Sequence, residues 1–258
     1  MPRVDGITYD ELAHDLRLHY ETTGTRGLKE ADTRFKALQP FFARRRAVTI
    51  KGAMAEEYVQ HRVKAGVANA PIKRELATLI RMLRLGDERD KAAKLLRIHK
   101  LTEAPPRAGF FERTDFEAVR RHLRPDLQCA VTIAHSYGWR MQSEVLALTL
   151  SQVDLGAGTL RINPGGSKIG EGRVVYLSSE IRMMLEEQIE RVRTLSRKLG
   201  RVIPFLFPHL AAGRFQGERI RDFRKSWTSA CRMAGLSGML RYDLRRTAAR
   251  NLIRSGVP

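Results

Sequence analysis

Three short segments, far apart in the chain, set basic side chains in unusual local contexts: Tyr137-Gly-Trp-Arg140-Met-Gln-Ser-Glu144-Val-Leu-Ala-Leu148, Gly165-Gly-Ser-Lys168-Ile-Gly-Glu-Gly-Arg173 and Leu240-Arg-Tyr242-Asp-Leu-Arg245-Arg-Thr247. Guanidinium groups stay charged and donate paired hydrogen bonds to phosphate oxygens. A phosphodiester being broken and rejoined passes through five-coordinate phosphorus with extra negative charge on its non-bridging oxygens, and fixed cations stabilise that state as a metal does elsewhere. A lysine can hand a proton to the departing oxygen only if neighbouring cations and burial pull its pKa down toward working pH. Tyr242 and Arg245 are three apart, so on a helix they share a face, near an N-terminus whose free amides already favour phosphate. Arg140 and Glu144 are four apart and share a face if that stretch is helical; an irregular turn would put the pairing in doubt.

The elements that must position these groups are mostly helical. Thr8 to Glu11 reads as a capping box ahead of Tyr9, Leu12, Leu16 and Tyr20, with Gly24 at the stop. A second helix is expected from about Lys29, with Phe35, Leu38, Phe41 and Phe42, and a third from about Thr49 to Gly66. Asn69 and Pro71 open a fourth, whose Ile72, Leu76, Leu79, Ile80 and Leu83 form an apolar stripe while Arg74, Arg81 and Arg84 occupy its other face. None of the four can bury its stripe alone, so they must pack together.

Leu101 to Phe111, with Pro105-Pro106 and Gly109, suits neither a helix nor a central strand, and the domain boundary is expected there: 1–104 and 105–258. Thr114 to Glu117 reads as a second capping box leading into a helix with Val119 and Leu123, and another helix follows with Leu127, Val131 and Ile133. The period then changes to two: Gly158 to Asn163 and Arg173 to Leu177 read as strands joined by a long polar hairpin loop. Ser179 is expected to cap a helix, and Ile220, Phe223 and Trp227 mark another that stops near Gly235.

Charge names the partner class. The 258 residues hold 47 Lys and Arg against 28 Asp and Glu, a net charge of +19. The excess is not a tail: residues 1–108 hold 22 basic against 14 acidic side chains and residues 109–258 hold 25 against 14. Polyanions are the natural partner. Hydrophobic residues at 43% exclude wholesale disorder. No apolar run approaches the roughly 18 residues a membrane span needs, and the start has no apolar signal region. Cys129 and Cys231 are too few for a disulfide framework, which fits a reducing, cytoplasmic, nucleoid-associated location. Cys and His show no zinc spacing, so neither metal nor cofactor is expected. His135 and His209 read as packing or surface residues, and Trp139 and Trp227 as core anchors. Arg44-Arg45-Arg46 reads as a solvated helix end or a set of phosphate contacts.

Taken together and in this order, after a basic all-helical region, the three segments resemble those of the tyrosine recombinase (phage integrase) family over almost the whole chain. The resemblance implies a mainly α protein: an N-terminal four-helix core-binding (SAM-like) domain that contacts DNA, with Arg44, Arg45, Arg46, Arg74, Arg81 and Arg84 as candidates, and an α+β catalytic domain with a small antiparallel sheet. It implies site-specific recombination of double-stranded DNA by metal-free cleavage and rejoining through a phosphotyrosyl intermediate, two domains clamping the duplex, and a tetramer on DNA in the full-length form. Arg140 and Arg245 take the family's phosphate-binding arginines, Lys168 its general acid, and Glu144 its bracing acid, one residue further from the arginine than the common pattern. Tyr242 stands where the family has histidine in H-x-x-R. A phenol, whose ordinary pKa is about 10, still donates to a phosphate oxygen but is a poorer proton shuttle than imidazole.

The family attacks with a tyrosine on a later helix, so Tyr242 is not read as the nucleophile. The sequence as it stands is expected to be a truncated form that binds DNA without cutting it. The competing reading is a non-catalytic DNA-binding protein, remnant or regulator. A metal-dependent nuclease or transposase would need clustered carboxylates; the sequence has no D-x-D motif, but carboxylates can converge from distant positions, and a divalent-ion requirement for activity would favour that reading.

Overall fold

In the computed structural model, which describes residues 6–25, 27–91, 101–103, 105, 109–165 and 171–256, Thr8 opens the first helix as its sequence predicts. Its hydroxyl accepts from the Glu11 amide, and its own amide donates to the Glu11 carboxylate at 2.7 Å. Helix α1 (Tyr9–Thr22) buries Tyr9, Leu12, Leu16 and Tyr20. Gly27, at φ +117°, turns the chain into α2 (Leu28–Phe42), a conformation that favours glycine. Phe42 packs between Tyr9 and Tyr58, with ring centroids 5.8 and 5.2 Å away.

The third helix starts later than its sequence suggests. Ala47–Thr49 form a single 3₁₀ turn, the Ala47 amide bonds the Ile7 carbonyl, and Lys51 is extended, so α3 covers Gly52–Lys64. Helix α4 (Asn69–Asp87) buries Ile72, Leu76, Leu79 and Leu83, while Ile80 sits at the edge of the stripe. Glu75 is buried in that stripe. Its two oxygens take the Arg62 guanidinium at 2.7 and 3.0 Å and the Tyr58 hydroxyl at 2.6 Å, tying α3 to α4. Glu75→Ala is expected to cost this unit about 2 kcal/mol, because Tyr58 and Arg62 lose their acceptor, Arg62 being partly solvated. A denaturant melt checks it, and an unchanged midpoint would show the network to be idle.

The chain divides into two units, Met1–Pro106 and Arg107–Pro258. In the second, α6 (Pro125–Tyr137) is buried along most of its length and packs against α7 (Ser179–Leu199) and α9 (Arg241–Arg254), with α5 (Arg113–Arg120) against α8 (Arg224–Met233). A three-stranded antiparallel sheet runs β1 (Val153–Asp154), β2 (Thr159–Ile162), β3 (Arg173–Tyr176), with Ile162 opposite Arg173. Leu160 and Ile162 point into the core and Val174 and Tyr176 outward.

Several local expectations are corrected. Thr114 does not cap α5: Glu112 is the N-cap residue and Thr114 lies inside the first turn. Ser178, rather than Ser179, caps α7 through the Ile181 amide. Ile220 and Phe223 precede α8 instead of lining it. Among the described residues no helix is long and apolar enough to cross a membrane.

Candidate active site

Gly138 ends α6 in the left-handed region at φ +66°, and a Cβ there would lie 3.3 Å from the Cβ of Ala248 on α9. The missing side chain lets α9 approach the turn closely. At that approach the Arg245 guanidinium donates to the Gly138 carbonyl at 2.6 Å. Arg245 is therefore anchored two residues from Arg140, although 105 positions separate the two arginines in the sequence.

Arg140 then caps a single π turn, Met141–Val145. Its carbonyl accepts from both the Glu144 and Val145 amides, at 2.9 and 3.0 Å, and the Leu146 amide reaches back to Met141. A π turn takes more residues per circuit than an α turn, so a spacing of four still returns Glu144 to Arg140. Glu144 is 2% exposed. One of its carboxylate oxygens accepts from the Arg140 amide at 2.7 Å and the other from the Arg140 guanidinium at 2.8 Å. The Arg173 guanidinium, at the start of β3, lies 2.7 Å from that second oxygen and 5.8 Å from the Trp139 ring centre. Burial alone would raise the Glu144 pKa; the Arg140 amide and the two guanidiniums outweigh it and hold the carboxyl below its ordinary value.

The N-terminus of α9 is fixed from two sides. The Leu240 amide donates to Asp243 at 2.8 Å, and Gly109 comes so close to Asp243 that a Cβ would sit 2.6 Å from its carboxyl group. The Thr247 hydroxyl accepts from the Phe111 amide at 2.8 Å and donates to the Asp243 carbonyl. Asp222 pairs with Arg241 at 2.5 Å and accepts from Gln142 at 3.4 Å, linking the π turn to the first residue of α9.

The structure thus brings Arg140, Glu144 and Arg245 to one turn. Tyr242, one turn before Arg245 on α9, is 61% exposed. Lys168 lies outside the described residues. Arg173 joins the site as well; in sequence its signal is the glycine-rich run 165–173 that ends on it.

In the first unit the six candidate DNA-contacting arginines fall into two groups. Arg44, at φ +61°, donates its amide to Asp10, and the Arg45 guanidinium bonds the Phe41 carbonyl and lies over the Phe41 ring at 5.3 Å. Arg46 is exposed beside them. Arg74, Arg81 and Arg84 are exposed along α4, and Arg81 lies over the Tyr20 ring at 4.9 Å. Arg81, Arg84 and His19 line a groove of about 450 Å³ between α1 and α4. His135 stacks on Phe116 at 4.0 Å, Trp139 and Trp227 are buried, and burial pushes the free thiols of Cys129 and Cys231 up to about 12 and about 11.

The model of the phage integrase family matches residues 116–258. Among solved structures, a lambda integrase dimer bound to a COC′ core site resembles the chain with a TM-score of 0.74 at 15% identity, covering 96% of this chain and 91% of that one. A Tn1549 transposon integrase in complex with transposon right end DNA gives 0.75 at 14% identity, covering 98% and 88%. A lambda integrase tetramer on a Holliday junction gives 0.69 at 16% identity, covering 98% and 75%. At such identities the likeness is one of fold. No curated protein matches the chain.

Proposed function

The chain belongs to the phage integrase family, and on that premise we propose that it acts in site-specific recombination of double-stranded DNA, cleaving and rejoining a strand without a metal ion. The observation that supports this reading is the bond of the Arg245 guanidinium to the Gly138 carbonyl, two residues before Arg140. A scissile phosphate held there would have both cations on its non-bridging oxygens, where negative charge grows in the transition state. Glu144 braces Arg140 and Tyr242 donates its phenol to a phosphate oxygen from the start of α9. As a tyrosine hydroxyl other than that of Tyr242 bonds to phosphorus, giving the phosphotyrosyl intermediate, the bond to the 5′ oxygen breaks and Lys168 delivers a proton to that departing oxygen. The basic groups at Arg44, Arg45 and Arg46 and at Arg74, Arg81 and Arg84 contact backbone phosphates away from the cut. A tetramer on DNA, as captured for lambda integrase on a Holliday junction, is the assembly proposed for the working state.

The test is the protein as its gene encodes it, incubated with a nicked duplex in a chelator. A covalent protein–DNA adduct that forms without added metal supports the reading; no adduct, with duplex binding intact, favours a binding protein instead. Exposed Tyr242 in the place of a histidine is the observation on the side of that second reading.

Binding itself has an expected signature. With several phosphates neutralised by arginines, log affinity for duplex DNA should fall with log salt at a slope steeper than about −4. A slope near zero between 50 and 200 mM salt would show that cationic contacts are not what holds the duplex.

A further inference from the structure

The proposed phosphate pocket leaves one strong contact unexplained: Glu144 is approached by two guanidiniums, and only Arg140 has been given a task. Arg173 is the first residue of β3, opposite Ile162, where the two arms of the β2–β3 hairpin close. Its neighbour Gly172 is held so tightly that a Cβ would lie 3.1 Å from the Ile162 carbonyl and from the Pro164 ring. From this fixed root the Arg173 side chain reaches across to the Glu144 carboxylate at 2.7 Å and lies over Trp139, the residue between Gly138 and Arg140.

Two consequences follow from charge and geometry. A lone Arg140–Glu144 pair would be neutral, and its carboxylate would compete with a phosphate for the guanidinium. With Arg173 sharing the carboxylate, the cluster of Arg140, Arg173 and Glu144 keeps one net positive charge, and Glu144 takes only part of the five N–H donors on Arg140. The same contact ties the start of β3, five residues after Lys168 in the sequence, to the turn that carries Arg140.

We propose that Arg173 is a positioning residue: acting through Glu144, it holds the Arg140 turn and the hairpin root together and keeps the pocket cationic enough to take a DNA phosphate. This rests on the phosphate-pocket reading above. The test uses the 258-residue chain, a 30-base-pair duplex at fixed salt, and Arg173→Gln, Arg173→Lys, Glu144→Gln and the Arg173→Gln/Glu144→Gln double variant.

Arg173→Gln should weaken duplex affinity about tenfold, and Arg173→Lys should restore most of it. On the Glu144→Gln background the Arg173→Gln change should add little, because the group it acts through has lost its charge. Carbon-13 NMR should show the Glu144 carboxyl titrating higher in Arg173→Gln than in the parent, and Arg173→Lys bringing it back, a readout that needs no DNA. Affinity unchanged in Arg173→Gln, or losses that simply add in the double variant, would overturn the inference while leaving the pocket intact. Arg140→Ala separates the two readings: if it leaves duplex affinity untouched, the pocket itself fails and the role of Arg173 with it.

Discussion

In the protein as its gene encodes it, alanine at Arg245 or at Arg140 is expected to slow DNA strand cleavage by about 10²–10³-fold, the double variant losing much less than the product of the two. On the proposed reading both guanidiniums address the same charge, so either loss would strand the other with a phosphate it cannot hold in line. Arg245 is fixed by its bond to the Gly138 carbonyl and Arg140 by the Glu144 carboxylate, so neither needs reorganising when the charge appears. Lysine should rescue poorly at either position, because an ammonium is a point charge and cannot present a planar fork to a carbonyl or carboxylate and a phosphate together. Single-turnover formation of the covalent adduct on a nicked duplex measures the rate. Arg182→Ala serves as the control: Arg182 is an exposed residue of α7 paired with Glu186 at 3.2 Å, and its loss should change the rate less than twofold. A fall of less than about tenfold in Arg245→Ala would mean that the cation is not at the reacting phosphate.

The second large effect concerns Glu144 and acid. Glu144→Ala removes a buried acceptor from two guanidiniums that are each about one-third exposed, and is expected to destabilise the second unit by about 2–3 kcal/mol. That corresponds to a fall of roughly 5–10 °C in its melting temperature. The parent chain should lose the ionic part of that stabilisation by protonation. The folded-state pKa of Glu144 is held below the ordinary carboxylate value by the Arg140 and Arg173 contacts, which outweigh burial. Its stabilisation is therefore fully present above the ordinary value of about 4.3 and disappears as pH falls through the lower folded-state value. Thermal melts between pH 7 and pH 3 test this. The parent should lose its advantage over Glu144→Gln in the acid range and keep it at neutral pH. Parallel curves across the whole range would show that the carboxylate contributes nothing as an ion.

What could be read before folding and what could not divides along the range of the interactions. The α1 cap at Thr8 and Glu11 and the α4 stripe from Ile72 to Leu83 are set within one or two turns of chain, so spacing alone revealed them. The start of α5 is set from 136 positions away, by the bond from the Phe111 amide to Thr247, and the local Thr114–Glu117 pattern therefore misled. Buried Glu75 interrupts an apolar stripe because its partners Tyr58 and Arg62 lie on another helix. At the candidate site the residue types of Arg140, Glu144 and Arg245 were legible. The π turn that reconciles the Arg140–Glu144 spacing was not, because residue type does not mark where a backbone bond will reach five positions instead of four. The two-residue β1 and the irregular stretch before α8 have no periodicity to read, and take their shape from bridges such as Thr149 with Phe205 and Pro208 with Arg219.

The most direct measurement is the structure of this chain bound to duplex DNA. Guanidinium nitrogens of Arg140 and Arg245 should both lie about 2.7–2.9 Å from oxygens of a single phosphate, with Glu144 still seated between Arg140 and Arg173. A complex in which the two arginines touch different phosphates, or face away from the duplex altogether, would contradict the account.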